Sequence, residues 1–475
     1  MRDSRVELSM VDFLTIQDVT IQKKCNEHGM AVIKGIIDIS DEESVLSVTE
    51  GNRFAKLSIE NEKGEVKTVF AGIVESVQIA SEGNLKRAIV KLVGATRLLE
   101  CVSHTRTFQN KAMTYGEVIK SIETGYDDIK HIMHIGSGVA IGDMIVQYKE
   151  NDWDFLKRLA SHFYARIYPG YGENGIRYRF GLLTSGKAKE IASSSYQIVN
   201  DVDELYDKKE NNVPGLLPRD GFCYKVQSRE YLELGEKVIF RKHELYVYAV
   251  QSAYIGNELV HTYYFKTEGG CKRRKCFNTK LIGASLDAKI LSVSKDTVKV
   301  CVTVDGKQDK ATAKWFPYST VYSSPDGTGW YCMPEEGDKV RLYFPNEKEE
   351  EGYIISSIHL ESEQGIGALG GETAPRSNPD NKSISTKYNK QVELTPTTIT
   401  MTNNKGMTIK IDDKEGISIH SDKNVTIQSD EELSIRSRNS NMVVEAPESI
   451  ELIQGAAKIT MRDEVTVEGA KFKVQ

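Results

Sequence analysis

The chain runs to 475 residues, room for about three or four domains of ordinary size, and its 62 Lys and Arg against 68 Asp and Glu leave a net charge of −6. That balance provides no global basic field for a nucleic-acid backbone, and 39% apolar residues with only 11 prolines exclude a disordered tail or a collagen-like fibre. Seven scattered cysteines suit a reducing cytosol rather than a disulfide framework; Arg2, Asp3, Arg5, Glu7 and Asp12 break up any signal core, and no run nears the length of a membrane span, so the expectation is a soluble multidomain protein made in the cytoplasm.

The first hundred residues read as strands. Met30 to Ile39 and Val66 to Val74 are β-branched runs broken by Gly and polar turns, and Ala88 to Gly94 continues the pattern. The character then changes. Thr114-Tyr-Gly-Glu117 has capping-box spacing, followed by Val118, Ile119 and Ile122 at helical intervals. Asn151 can cap a second helix, with Trp153, Leu156, Leu159, Ala160 and Phe163 on one face and Pro169-Gly170 closing it. From about Phe180 to Phe265 strands return, which predicts one composite unit over 1–268 with a helical insert at about 101–190.

Gly269-Gly-Cys-Lys-Arg-Arg-Lys-Cys276 reads as a boundary, and 269–277 as a solvated linker. Behind it, a hairpin over Ala288 to Val304 turning at Lys295-Asp296, with further strands at Gly337 to Phe344 and Gly352 to Ile358, fits a five-stranded OB-type barrel over 278–360. Residues 361–385 are rich in Gly, Ser, Pro and Asn without period, a second linker.

Beyond it, over 386–475, lies an eight-residue repeat: Ile409, Ile417, Val425 and Leu433 stand eight apart, and so do Ile411, Ile419, Ile427 and Ile435. Polar Lys410, Ser418, Thr426 and Ser434 sit between the pairs, and looser copies continue through Val443, Ile450, Ile459, Val465 and Phe472. Alternate residues share a face, so all eight apolar residues point one way. Eight residues cannot close a turn around a core alone, since a strand of three or four spans only about 13 Å. The economical solution is three chains wound into a triangular prism, each supplying one wall, with Ile409, Ile411, Ile417, Ile419, Val425, Ile427, Leu433 and Ile435 as its core. The alternative is an antiparallel meander packed on another domain.

Signatures of chemistry are sparse. Gly-x-Ser-x-Gly, His-Glu-x-x-His and the P-loop pattern do not occur. Gly365-Ile-Gly-Ala-Leu-Gly370 matches the dinucleotide pattern, but Gly371-Glu-Thr-Ala-Pro375 follows where a helix should begin, so it reads as linker. Cys271 and Cys276 could supply two zinc ligands, but a site needs four and no second pair stands nearby, so the stretch reads as solvated linker. His131 and His134 read as structural, and Asp152 with Asp154 at a helix start as caps rather than an acid–base pair. The expectation is therefore no catalytic, cofactor-binding or metal-binding residue.

Three stretches carry a family resemblance. Gln147-Tyr-Lys-Glu-Asn-Asp-Trp-Asp-Phe-Leu-Lys-Arg-Leu159 looks like a Gln-Tyr-x-Glu-(Ser/Thr)-x-x-x-Phe-(Leu/Ile)-x-Arg-Leu segment, with Asn151 in place of the hydroxyl residue. Pro334-Glu-Glu-Gly-Asp-Lys-Val340 matches a Pro-x-x-Gly-Asp-x-Val turn of an OB barrel, and the octads look like a β-helical needle. Together they resemble the VgrG-type central spike of contractile injection systems, equivalent to the fused hub and spike of contractile phage tails. The resemblance implies a mainly β homotrimer: a hub of β-barrel-like domains, an OB collar and an intertwined needle that pierces a target envelope. It implies partners in the inner tube protein, baseplate proteins and tape-measure protein, with a PAAR-type tip protein and effector cargo as further partners. Contact with a target membrane would be transient and nucleic acid would not be bound. Such a protein assembles in the cytoplasm and is fired or released as part of a particle. The interval of about 25 residues before the needle is too short for the lysozyme-like domain of some relatives, and the last strand at Lys471 to Gln475 leaves no toxin after it. The alternatives are a tail-associated peptidoglycan hydrolase and a receptor-binding trimeric fibre.

Overall fold

A computed structural model describes residues 5–38, 45, 53–60, 64–324, 328–356, 378–471 and 473, and the chain divides into two compact units, 1–360 and 361–475. The chain is mainly β, with a helical insert and an OB-type barrel.

In the first unit one sheet runs Arg5–Leu8, Phe54–Glu60, Val66–Glu82, Leu85–Val93, Met30–Ile37, Phe13–Lys24, His243–Ile255, Glu258–Lys266, Phe222–Ser228 and Tyr196–Asn200, with Lys237–Phe240 and Lys189–Glu190 attached at His243–Ile255. Its central seam joins Phe13–Lys24 to His243–Ile255, Ala249 opposite Lys24 and Ala253 opposite Thr20. Two β blocks more than two hundred residues apart thus share one core, in which Val19, Ile21, Ala31, Ile33, Leu57 and Val90 meet Val226, Val238, Leu245, Val247 and Phe265. Alternation along each strand sends these β-branched and aromatic residues to one face, where burial stabilises them at about 25 cal/mol per Å².

Within the insert, helix Tyr115–Glu123 starts at Thr114, which accepts from the Glu117 amide while the Glu117 carboxylate takes the Thr114 N–H at 2.7 Å. Helix Asp152–Ser161 starts at Asn151, whose side chain accepts from the Asp154 amide at 2.8 Å. Trp153, Phe155, Leu156, Leu159 and Ala160 are fully buried against Val118, Ile119 and Ile122. A third helix, Val202–Glu210, lies beyond the expected insert and buries only Leu205 and Lys208. Charge rather than an apolar stripe holds it: Glu204 binds Lys208 at 2.9 Å, Arg166 at 3.0 Å and also Lys266. Burial alone would raise the Glu204 carboxyl, but hydrogen bonds and charges from Lys266 and Lys208 bring it down to about 2.

Residues 269–277, expected as a solvated linker, are fastened instead. Thr267 caps a short helix, Glu268–Cys271, and Cys271 is buried. Lys208 Nζ donates to Gly270 O at 2.7 Å, Arg166 Nε to Cys271 O at 2.9 Å, and the Arg273 and Cys276 amides bond Tyr164 O and Ser161 Oγ at 3.0 and 2.8 Å. The glycines serve close approach rather than flexibility: a Cβ on Gly269 would collide with the Asp220 carboxylate.

The barrel has five strands, Trp315–Pro317, Thr297–Val302, Ser285–Ser294, Lys339–Tyr343 and Tyr353–Ile355 in that order, closed by a parallel bridge from Tyr318 to Ile354. Val298, Val300, Phe316, Leu342, Phe344 and Ile354 fill it, joined by Met144 and Val146 from the hub insert.

The second unit begins earlier than expected: Lys382–Ser385, placed in the linker by composition, pairs with Gln391–Leu394. A five-stranded antiparallel sheet follows, Lys382–Ser385, Gln391–Leu394, Thr398–Thr402, Met407–Asp412 and Gly416–Ser421, and later a three-stranded one, Ile450–Gln454, Ala457–Met461 and Val465–Glu468. The glycine pattern at Gly365 to Gly370 and most of the strand expected at Lys471 to Gln475 lie outside the described residues.

Candidate assembly interface

Of the octad residues, Ile409, Ile411, Ile417 and Ile419 occupy one face of the five-stranded sheet. Ile384, Val392, Met401, Ile409 and Ile419 stand directly opposite one another across five strands, and Leu394, Ile399, Ile411 and Ile417 form a parallel column two residues along. On the reverse face Glu393, Thr400, Lys410 and Ser418 stand in line, with Lys410 paired to Asp412 at 2.8 Å. Within one chain, then, the octads of 407–421 run as an antiparallel meander, one strand and one tight turn per eight residues. The pairing is that of a meander, without the packing on another domain that the alternative included, and a strand plus turn needs the same number of residues as one wall of a prism. The upstream rows through Ile399 and Met401 were not among the expected core residues, although the alternation in Thr398-Ile-Thr-Met-Thr402 carries the same signal.

This face is bare. Ile409 and Ile411 are 45% and 44% exposed, Ile417 and Ile419 72% and 61%, and a groove of about 530 Å³ runs between Ile384, Val392, Met401 and Ile409. Val425, Ile427, Leu433 and Ile435 lie in the stretch 422–449, which has no strand partner among the described residues, and all four are more than half exposed. The last sheet repeats the design, with Leu452, Ile459 and Val467 in one column and Ile450, Met461 and Val465 in the other. Apolar columns this exposed on a sheet face are unusual for a soluble surface.

A second constellation, unannounced by any pattern except the Gln147 to Leu159 segment, ties barrel to hub in the first unit. Arg158 is buried; its Nη1 donates to Glu349 Oε1 at 2.6 Å, and its Nε and Nη2 to the Glu150 carboxylate at 3.1 and 2.8 Å. Burial would lower the Arg158 pKa, but Glu349 and Glu150 hold it above the ordinary value; burial also raises the Glu150 carboxyl, which Arg158 only partly offsets. Around this triad the Asp305 carboxylate accepts from the Thr107 amide at 2.9 Å, and Gln109 donates to Val300 O at 3.2 Å. Asp152 and Asp154 both lie in the first turn of the helix, as expected for dipole compensation; Asp154 joins the cap with Asn151, while Asp152 is buried and accepts from Gln147 and Tyr126 at 2.8 Å and Arg106 at 3.2 Å. His131 pairs with Glu123 at 2.8 Å. Among the described residues no group of three His, Cys, Asp or Glu could hold a metal ion, and no helix is long and apolar enough to cross a membrane.

Residues 52–163 match the family model of the phage tail baseplate hub (GPD), and residues 289–359 that of the type VI secretion system/phage-baseplate injector OB domain. No curated protein matches the chain. Among solved structures the fold is similar to the Escherichia coli c3393 protein, a component of the type VI secretion system described as resembling the T4 bacteriophage tail proteins gp27 and gp5, at 12% identity and a TM-score of 0.53 over 75% of this chain and all of that one. It is also similar to a chain of the Francisella PdpA–VgrG complex in its half-lidded form, at 11% identity and a TM-score of 0.55 over 88% of this chain and 87% of that one. The chain thus carries a segment matching the phage tail baseplate hub and a segment matching the injector OB domain, on a fold similar to that of type VI and VgrG spike components.

Proposed function

We propose that the chain is the non-enzymatic, homotrimeric central spike of a contractile injection machine, joining inner tube and baseplate to a needle that pierces a target membrane. The carrying observation is the bare octad face together with the unladdered stretch 422–449. Ile409, Ile411, Ile417, Ile419, Val425, Ile427, Leu433 and Ile435 become the needle core once two further copies cover them. Three meanders then bury their apolar faces against one another, the unladdered stretch 422–449 can intertwine, and a dry Ile and Val column resists unfolding under thrust. The first unit forms the hub and collar, bound by inner tube, baseplate and tape-measure proteins, and a PAAR-type protein tips the needle. A Francisella relative is described in complex with PdpA, which supports a bound cargo or partner protein here too. The protein assembles in the cytoplasm and leaves as part of the fired or released particle, touching the target membrane only during piercing.

The test is the solution mass by light scattering. A value near three times 53.2 kDa, retained in strong detergent until heating, supports the interwoven needle; a clean monomer overturns it.

A further inference from the structure

Lys272-Arg-Arg-Lys275 crosses the end of helix Asp152–Ser161 as a strap on the way from hub to barrel. Two backbone bonds hold the strap there: the Arg273 amide donates to Tyr164 O at 3.0 Å, and the Cys276 amide to Ser161 Oγ at 2.8 Å. His162 lies between those two anchor residues and is the C-cap of the helix, its amide bonded back to Leu159 O at 3.2 Å. Its ring is half-buried, with Nδ1 2.8 Å from the Tyr115 hydroxyl and the Tyr115 ring edge-on at 5.8 Å.

The groups facing this imidazole carry one sign of charge. Its own helix supplies Arg158, one turn back on the same face; the strap supplies Lys275; helix Tyr115–Glu123 supplies only the phenol of Tyr115. Burial pushes that phenol up to about 12, so it stays neutral. The carboxylates of Glu349, from the barrel, and Glu150, from strand Ile145–Asn151, are both bonded to Arg158. A proton on His162 would therefore add a third cation beside Arg158 and Lys275 with no counter-charge of its own. Burial first, then Arg158 and Lys275, lower its pKa from 6.5 to about 3.

We propose that the strap is an acid-released latch, lying on the hub helix while His162 is neutral and lifting when that ring takes a proton. Lifting removes Lys275 and opens the ring to water, where an imidazole returns to about 6.5. The open form thus binds a proton that the latched form refuses. By linkage the latch is fully stable above that value, and its closing constant falls about tenfold for each unit of pH below it, down to about 3. Because the strap leads the chain into the barrel, its release lets the collar shift on the hub, with Arg158 and Glu349 still joining the two.

The test is amide hydrogen exchange of the full chain at pH 7.5 and pH 5, each rate divided by that of the unfolded chain at the same pH. Protection of the Arg273 and Cys276 amides is expected to fall about thirtyfold between the two. His162→Gln, which cannot titrate, should hold the same protection at both; His162→Asn serves if that variant does not fold. Equal protection at the two pH values in the unaltered protein overturns the latch. So does a fall of the same size in the variant.

Discussion

Arg158 Nη1 lies 2.6 Å from Glu349 Oε1 across 191 residues of sequence, both side chains buried where the hub insert meets the OB barrel. Glu349 Oε1 also accepts from the Val146 amide at 3.1 Å, and Val146 is itself part of the barrel core. One carboxylate therefore binds the end of the hub helix and the hub strand beside it to the barrel, with Glu150 as the second counter-charge.

Removing the cation from this triad strands two buried carboxylates. Arg158→Ala should destabilise the first unit by about 3–5 kcal/mol, whereas the charge-free triple variant Arg158→Met, Glu150→Gln, Glu349→Gln should lose less, because no uncompensated charge remains. Denaturant unfolding of the full chain, following the hub transition, ranks the two. The opposite order would mean that the triad acts by packing alone.

Ile417 offers a sharp test of the needle. It is 72% exposed in one chain, so Ile417→Asp should cost a free chain only about 0.5 kcal/mol or less. In a trimer the same change buries a charge three times over and should abolish assembly. Deleting Ser429 should do the same by another route, since the shift of one residue turns Leu433, Ile435 and everything downstream to the wrong face. Light scattering reads both, and trimers of unchanged heat resistance would contradict the packing.

Lys23 makes hub stability depend on alkaline pH. Its ammonium is buried, 4.8 Å from the Tyr231 ring centre and 5.1 Å from that of Tyr171, with Val69 O at 2.5 Å. Burial, outweighing the charge of Glu233, lowers its pKa from 10.5 to about 7. Between those values the unfolded chain holds the proton and the folded chain does not, so stability rises as pH climbs through that window and is flat below it. The gain is on the order of a few kcal/mol. Lys23→Met should flatten the difference, which urea midpoints at pH 7 and 9 would reveal.

Gly269→Ala should cost about 1–3 kcal/mol, because the added methyl must displace the Asp220 carboxylate that caps the neighbouring turn at Leu217 and holds Thr267. Thermal melting compared with Gly138→Ala, which meets open space, isolates the effect.

Local signals were legible where short-range physics makes them. The capping box at Thr114, the cap at Asn151, the Lys295-Asp296 turn and the alternation of the first two octads all appear as read, because each depends on neighbours within a few residues. Helix Val202–Glu210 escaped because ion pairs with Lys266 and Arg166, far along the chain, hold it rather than an apolar stripe. Residues 269–277 misled because a Gly pair that permits close approach looks the same in one dimension as a Gly pair that permits motion.

By itself, then, the sequence determined the two helices of the insert, the strands of the barrel and the two-faced character of the first octad strands, all consequences of period and capping. Only the tertiary structure decided that strand Phe13–Lys24 closes on His243–Ile255, that Arg158 finds Glu349, and that the octads pair as a meander over 407–421. These are pairings between distant segments, chosen by which surfaces can be buried together, and that choice is made in three dimensions.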